Sequence, residues 1–85
     1  MANNEIIVKI ESYGAIERLL PSDLSLKCTA QQSIAEILVQ VSAQFPSALN
    51  MLERCACAMG EDIIPRQTVL MQDSTVVLLS PVAGG

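Results

Sequence analysis

Eighty-five residues, 51% of them hydrophobic and 16% charged, make room for one small domain with a modest core. The net charge is −4, and the five basic residues Lys9, Arg18, Lys27, Arg54 and Arg66 form no run, which argues against nucleic acid and against an anionic membrane surface as partners. No stretch approaches the roughly 18 consecutive apolar residues of a membrane span.

The first element is "EIIVKIESYG". Ile6, Val8 and Ile10 alternate with Ile7, Lys9 and Glu11, which predicts a strand over about residues 4–12, broken by Gly14. A loop containing a helical turn, "AIERLLPSD", leads to "LSLKCT". There Leu24, Leu26 and Cys28 alternate with Ser25, Lys27 and Thr29, the pattern of a second half-buried strand. "SIAEILVQVSAQF" has apolar residues at 34, 37, 38, 41 and 45, a continuous helical stripe. Ser33 and Glu36 match a capping box, and Pro46 ends the helix. "PSALNMLE" predicts a short second helical turn.

"RCACAM" reads as a third strand, and Gly60 supplies the positive φ of a tight turn. "EDIIP" reads as a short fourth strand limited by Pro65. "TVLMQDST" reads as a turn region with Gln72, Asp73 and Ser74 at its tip. The apolar run of "TVVLLS" does not alternate, which predicts a last strand buried on both faces and central in its sheet. The order β, β, α, β, β, β gives an α+β fold, a mixed sheet of four to five strands with one main helix packed across one face. The domain is expected over residues 1–80, followed by a flexible tail over residues 81–85.

The chemistry-bearing residues are few. There is no histidine, so the commonest general base and metal ligand is missing. No nucleophile elbow, phosphate-binding glycine loop or dinucleotide fingerprint occurs. Glu61 and Asp62 lie in a turn without other polar groups and read as solvated. Cys55 and Cys57 share one strand face. With no further CxC or CxxC pair they read, with Cys28, as small buried hydrophobes, and no metal site is expected. Met51, Met59 and Met71 read as core filler, the alternative being an adaptable binding surface. An odd number of cysteines and an N-terminus without a signal-peptide pattern point to a reduced, cytoplasmic setting.

The chain ends "SPVAGG". At ordinary glycine usage a terminal Gly-Gly arises by chance roughly once in 200 chains, so the pair asks for a reason. Pro81 fixes its own φ and holds Ser80 extended. Two residues without Cβ pass where others cannot. Five extended residues reach about 16 Å. The reactive group at the tip is the α-carboxylate of Gly85.

These features together resemble the ubiquitin-like β-grasp sulfur carriers, and within them the small subunit of molybdopterin synthase, whose chains commonly end Pro-Pro-Val-x-Gly-Gly. Here Ser80 stands in place of the first proline. The helix "SIAEILVQVSAQFP" and the segment "AMGEDI", with Gly60 where the family has asparagine, are also similar. "LMQDSTV" takes the place of a Leu-x-Asp-Gly-Asp-x-Val turn, from which Asp73 and Ser74 depart. The thiamine-pathway carrier is usually shorter and lacks the Pro-Val approach, while ubiquitin-like modifiers share fold and tail.

The resemblance implies that a ubiquitin-activating-type enzyme adenylates the Gly85 carboxylate with ATP, and that a sulfur donor then replaces AMP to give a thiocarboxylate. The sulfur would be delivered to a pyranopterin precursor within the large synthase subunit, in molybdenum cofactor biosynthesis. The chain would then be a sulfur-carrying co-substrate with no bound cofactor, the catalytic side chains belonging to the large subunit. Pro81, Val82, Ala83 and Gly84 would thread the partner's channel. Leu79, Pro81 and Val82, with the sheet face left bare by the helix, would form the contact.

Overall fold

The computed structural model describes residues 4–81. Strand β1 (Glu5–Tyr13) buries Ile6, Val8 and Ile10 and turns Ile7 and Lys9 outward, the alternation its sequence dictates. A short 3-10 turn (Gly14–Arg18) drops Ile16 into the core. Strand β2 (Ser25–Thr29) runs back antiparallel to β1 and buries Leu26 and Cys28.

Helix α1 (Ile34–Gln44) buries Ile34, Ile37, Leu38 and Val41, with Phe45 half-buried at its end. Burial of each such side chain contributes about 1.5–3 kcal/mol. Its start is fully engaged. The Glu36 N–H donates to Ser33 Oγ at 3.2 Å and the Ser33 N–H to Glu36 Oε1 at 2.8 Å. The next two amides, of Ile34 and Ala35, donate to the carbonyls of Thr68 and Arg66, both at 2.9 Å. Orphan donors of a helix terminus are thus met by the segment over residues 66–68. Phe45, the residue before Pro46, leaves the helical region at φ −131°, ψ 73°, as the proline ring requires. Pro46 opens a second 3-10 turn and helix α2 (Leu49–Arg54) follows. The Arg66 guanidinium donates to the carbonyls of Leu52 and Cys55, closing the C-terminal end of α2.

Strands β4 (Ala56–Met59) and β5 (Asp62–Ile64) form a hairpin around Gly60, whose φ is +60°. Strand β7 (Ser74–Leu79) completes the sheet, whose order is β2-β1-β7-β4-β5. β7 pairs parallel to β1 and antiparallel to β4. The sheet is therefore mixed, with the helices over one face: the ubiquitin-like β-grasp fold.

Three sequence expectations change. β7 is central, but only Val76 and Leu78 are buried; Val77 and Leu79 are half-buried, because among the described residues no helix covers their face. "TVLMQDST" is not wholly a turn: β6 (Val69–Leu70) pairs antiparallel with β3 (Gln32–Ser33), two-residue strands too short to show a period. Met71 is exposed, while Met51 and Met59 pack against the core. Gln31 carries a positive φ of 77° without being glycine, and its N–H donates to the Leu70 carbonyl at 2.8 Å.

Candidate functional site

The parallel β1–β7 pair brings Leu79 opposite Tyr13, so the chain leaves the sheet beside the end of its first strand. The next residue, Ser80, is held three times. Its N–H donates to the Tyr13 carbonyl at 3.1 Å. Its hydroxyl donates to the same carbonyl at 2.8 Å and accepts from the Ile16 N–H at 3.3 Å. Gly14, at φ +88°, sits under this hydroxyl, where a Cβ would collide with Ser80 Oγ. The Gly14 N–H donates to Glu17 Oε2 at 2.9 Å, which closes the 3-10 turn. Pro81 follows, exposed. Val82, Ala83, Gly84 and Gly85, on which the threading and carboxylate expectations fall, lie outside the described residues.

The bare sheet face beside this root is apolar in one half. Cross-strand register places Leu79 between Tyr13 and Ala56, and Val77 between Glu11 and Ala58. Ala58 in turn faces Ile63. Ile63 is 67% exposed and Tyr13 52%. The other half of the face carries Lys9, Ser25, Lys27 and Thr75, with Ile7 among them. A contiguous apolar area rimmed by polar residues is the usual mark of a docking surface. Leu79 belongs to it, as expected. Ala56, Ala58 and Val77 were missed, although the spacing of two along β4 and β7 carries the signal, and so was Ile63 on β5.

The remaining candidates separate from this site. Cys28, Cys55 and Cys57 are buried in the core. Burial pushes all three thiols above their ordinary range; Cys57 adds to the rise at Cys55, and Arg66 opposes it at both Cys55 and Cys57. Thiols in this state are poor nucleophiles. Glu61 is exposed in the β4–β5 turn and Asp62, expected in that turn, is exposed as the first residue of β5. Among the described residues no group of three or more His, Cys, Asp or Glu side chains is placed to hold a metal ion. No helix among them is long and apolar enough to cross a membrane.

Known structures share this architecture. SAMP1 from Haloferax volcanii superposes with a TM-score of 0.79 at 9% identity, covering 93% of this chain and 99% of that one. A putative molybdopterin converting factor subunit 1 from Pyrococcus furiosus gives 0.77 at 9% identity, over 91% and 99% of the two chains. A complex of subunits 1 and 2 of molybdopterin-converting factor from Helicobacter pylori 26695 gives 0.61 at 22% identity, over 94% and 100%. At these identities the likeness establishes the fold alone. No curated protein matches the chain significantly. The sequence itself matches the ThiS family over residues 13–85, a span that takes in the tail root, both helices and every strand after β1. The chain therefore belongs to the ThiS family of ubiquitin-like sulfur carriers.

Proposed function

We propose that this chain is the sulfur-carrying subunit of a molybdopterin synthase. The observation that carries the reading is the root formed by Ser80 and Pro81 directly after the central strand, beside the apolar half of the bare sheet face, with "VAGG" following in the sequence. Two similar structures support it, one a putative molybdopterin converting factor subunit 1 and one a complex of subunits 1 and 2. On this reading the Gly85 carboxylate attacks the α-phosphorus of ATP in a ubiquitin-activating-type enzyme, and pyrophosphate leaves. A hydrosulfide equivalent then attacks the carbonyl carbon and AMP leaves, giving the thiocarboxylate. That sulfur is delivered inside the large synthase subunit, which supplies the acid–base groups that the described residues do not gather at the tail root.

The face formed by Tyr13, Ala56, Ala58, Ile63, Val77 and Leu79 takes the large subunit, with Pro81 and Val82 at the mouth of its channel. The residues beyond Pro81 act as a slender probe that no side chain obstructs at Gly84 and Gly85.

Mass spectrometry of the chain recovered from its own cell tests this. A C-terminal mass increase matching one oxygen exchanged for one sulfur is expected, together with co-purification of a large synthase subunit. A branched conjugate to lysine in its place would make the chain a modifier. A thiocarboxylate delivered to a thiazole precursor would make it a thiamine carrier.

A further inference from the structure

We propose that Ser80 is a positioning residue, whose hydroxyl, seated over Gly14, sets the direction in which the tail leaves the domain. The inference rests on the carrier reading and adds a chain-specific device to it. Ile16 is fully buried, so its amide is a fixed point of the core. Through that amide and the Tyr13 carbonyl, the hydroxyl ties the residue after β7 to the 3-10 turn that follows β1. The Tyr13 carbonyl takes two donors from one residue, the Ser80 N–H and hydroxyl.

Gly14 completes the seat. Its positive φ turns the chain under Ser80, and the absence of a Cβ leaves the space the hydroxyl occupies. A side chain at 14 meets Oγ, and a side chain without a hydroxyl at 80 removes the acceptor that Ser80 Oγ offers the Ile16 amide. Because Pro81 fixes its own φ, two consecutive residues are set before the tail begins. Order established in the free carrier does not have to be imposed on binding. The device therefore acts on how tightly an adenylating enzyme takes the chain, and leaves the chemistry at Gly85 alone.

The test is pyrophosphate exchange by the adenylating enzyme, with the full chain as varied substrate, at a temperature where circular dichroism shows each variant folded. Ser80→Ala is expected to raise KM for the carrier about fivefold, the equivalent of one hydrogen bond, with kcat and the KM for ATP unchanged. Ser80→Thr, which keeps the hydroxyl, is expected to restore the wild-type KM. Should Ser80→Ala unfold, Ser80→Thr against its isostere Ser80→Val makes the same comparison. A wild-type KM in the Ala or Val variant, with an active wild-type chain, overturns the inference alone. No exchange with the wild-type chain overturns the carrier reading and this inference with it.

Discussion

The Asp73 carboxylate accepts a hydrogen bond from the Ile7 N–H at 2.8 Å, across 66 positions of the chain. The β1–β7 ladder begins one residue later, at Val8 and Ser74, so a side chain supplies the first rung that the backbone of β7 does not reach. Asp73→Ala is expected to cost about 0.5–1.5 kcal/mol, and Asp73→Asn, which keeps an acceptor oxygen, to recover most of it. Urea unfolding measures both; equal losses in the two variants would show that the bond adds nothing.

The start of α1 offers a second check. Ser33→Ala removes the acceptor of the Glu36 N–H and is expected to destabilise by about 1 kcal/mol. Since Glu36 reaches back to the Ser33 N–H, the losses from Ser33→Ala and Glu36→Ala should not add. Strict additivity in a double-mutant cycle would contradict the reciprocal cap.

The bare face should be separable from the core. Ile63→Asp or Val77→Asp is expected to leave the fold intact and to weaken binding of a large synthase subunit at least about tenfold, as loss of a central apolar contact does. Val39→Asp, equally exposed at 67% but on the helix layer, should leave binding unchanged. Calorimetric titration decides; equal effects at positions 39 and 63 would remove the sheet face from consideration.

Deleting Gly84 and Gly85 is expected to abolish adenylation with little change in the thermal midpoint, because terminal residues add little burial. Pyrophosphate exchange beside a melting curve reads both quantities. A truncated chain that still supports exchange would contradict the role given to Gly85.

The thiols give a pH dependence. In the folded chain the three cysteines hold their protons above the ordinary value of 9.0, burial being the main cause. The unfolded chain ionises them first, so their contribution to stability is complete below that value and is lost as pH rises through the folded pKa values. Iodoacetamide at neutral pH should label the native chain slowly and the denatured chain at all three cysteines. Rapid native labelling of Cys57 would refute its burial.

Much of the fold was legible because its strong periods are long. The alternation in β1 and β2 and the stripe from Ile34 to Val41 each repeat often enough to fix both element and buried face. The β3–β6 pair was not legible, since two residues carry no period and its pairing joins positions far apart in the chain. The both-face burial expected of β7 failed for a related reason. An unbroken apolar run describes a strand covered twice, or a strand covered once whose other side awaits a second protein. At the candidate site the sequence pointed to the tail and to Leu79. It marked Gly14 only as a strand breaker, and Ser80 only as a residue held extended by Pro81 and as a departure from a family pattern. Their contact depends on the parallel pairing of β1 and β7, which no local pattern encodes.

That pairing also governs how the sheet closes. Without residues 74–79, the β1–β2 and β4–β5 pairs have no strand between them. Non-local pairing of this kind is slow to form. The strand that joins the two pairs also carries Val77 and Leu79 and leads into Ser80. A chain cut before residue 74 lacks the central strand and, with it, the Val77 and Leu79 part of the apolar face, so a partner that reads this surface would pass it over.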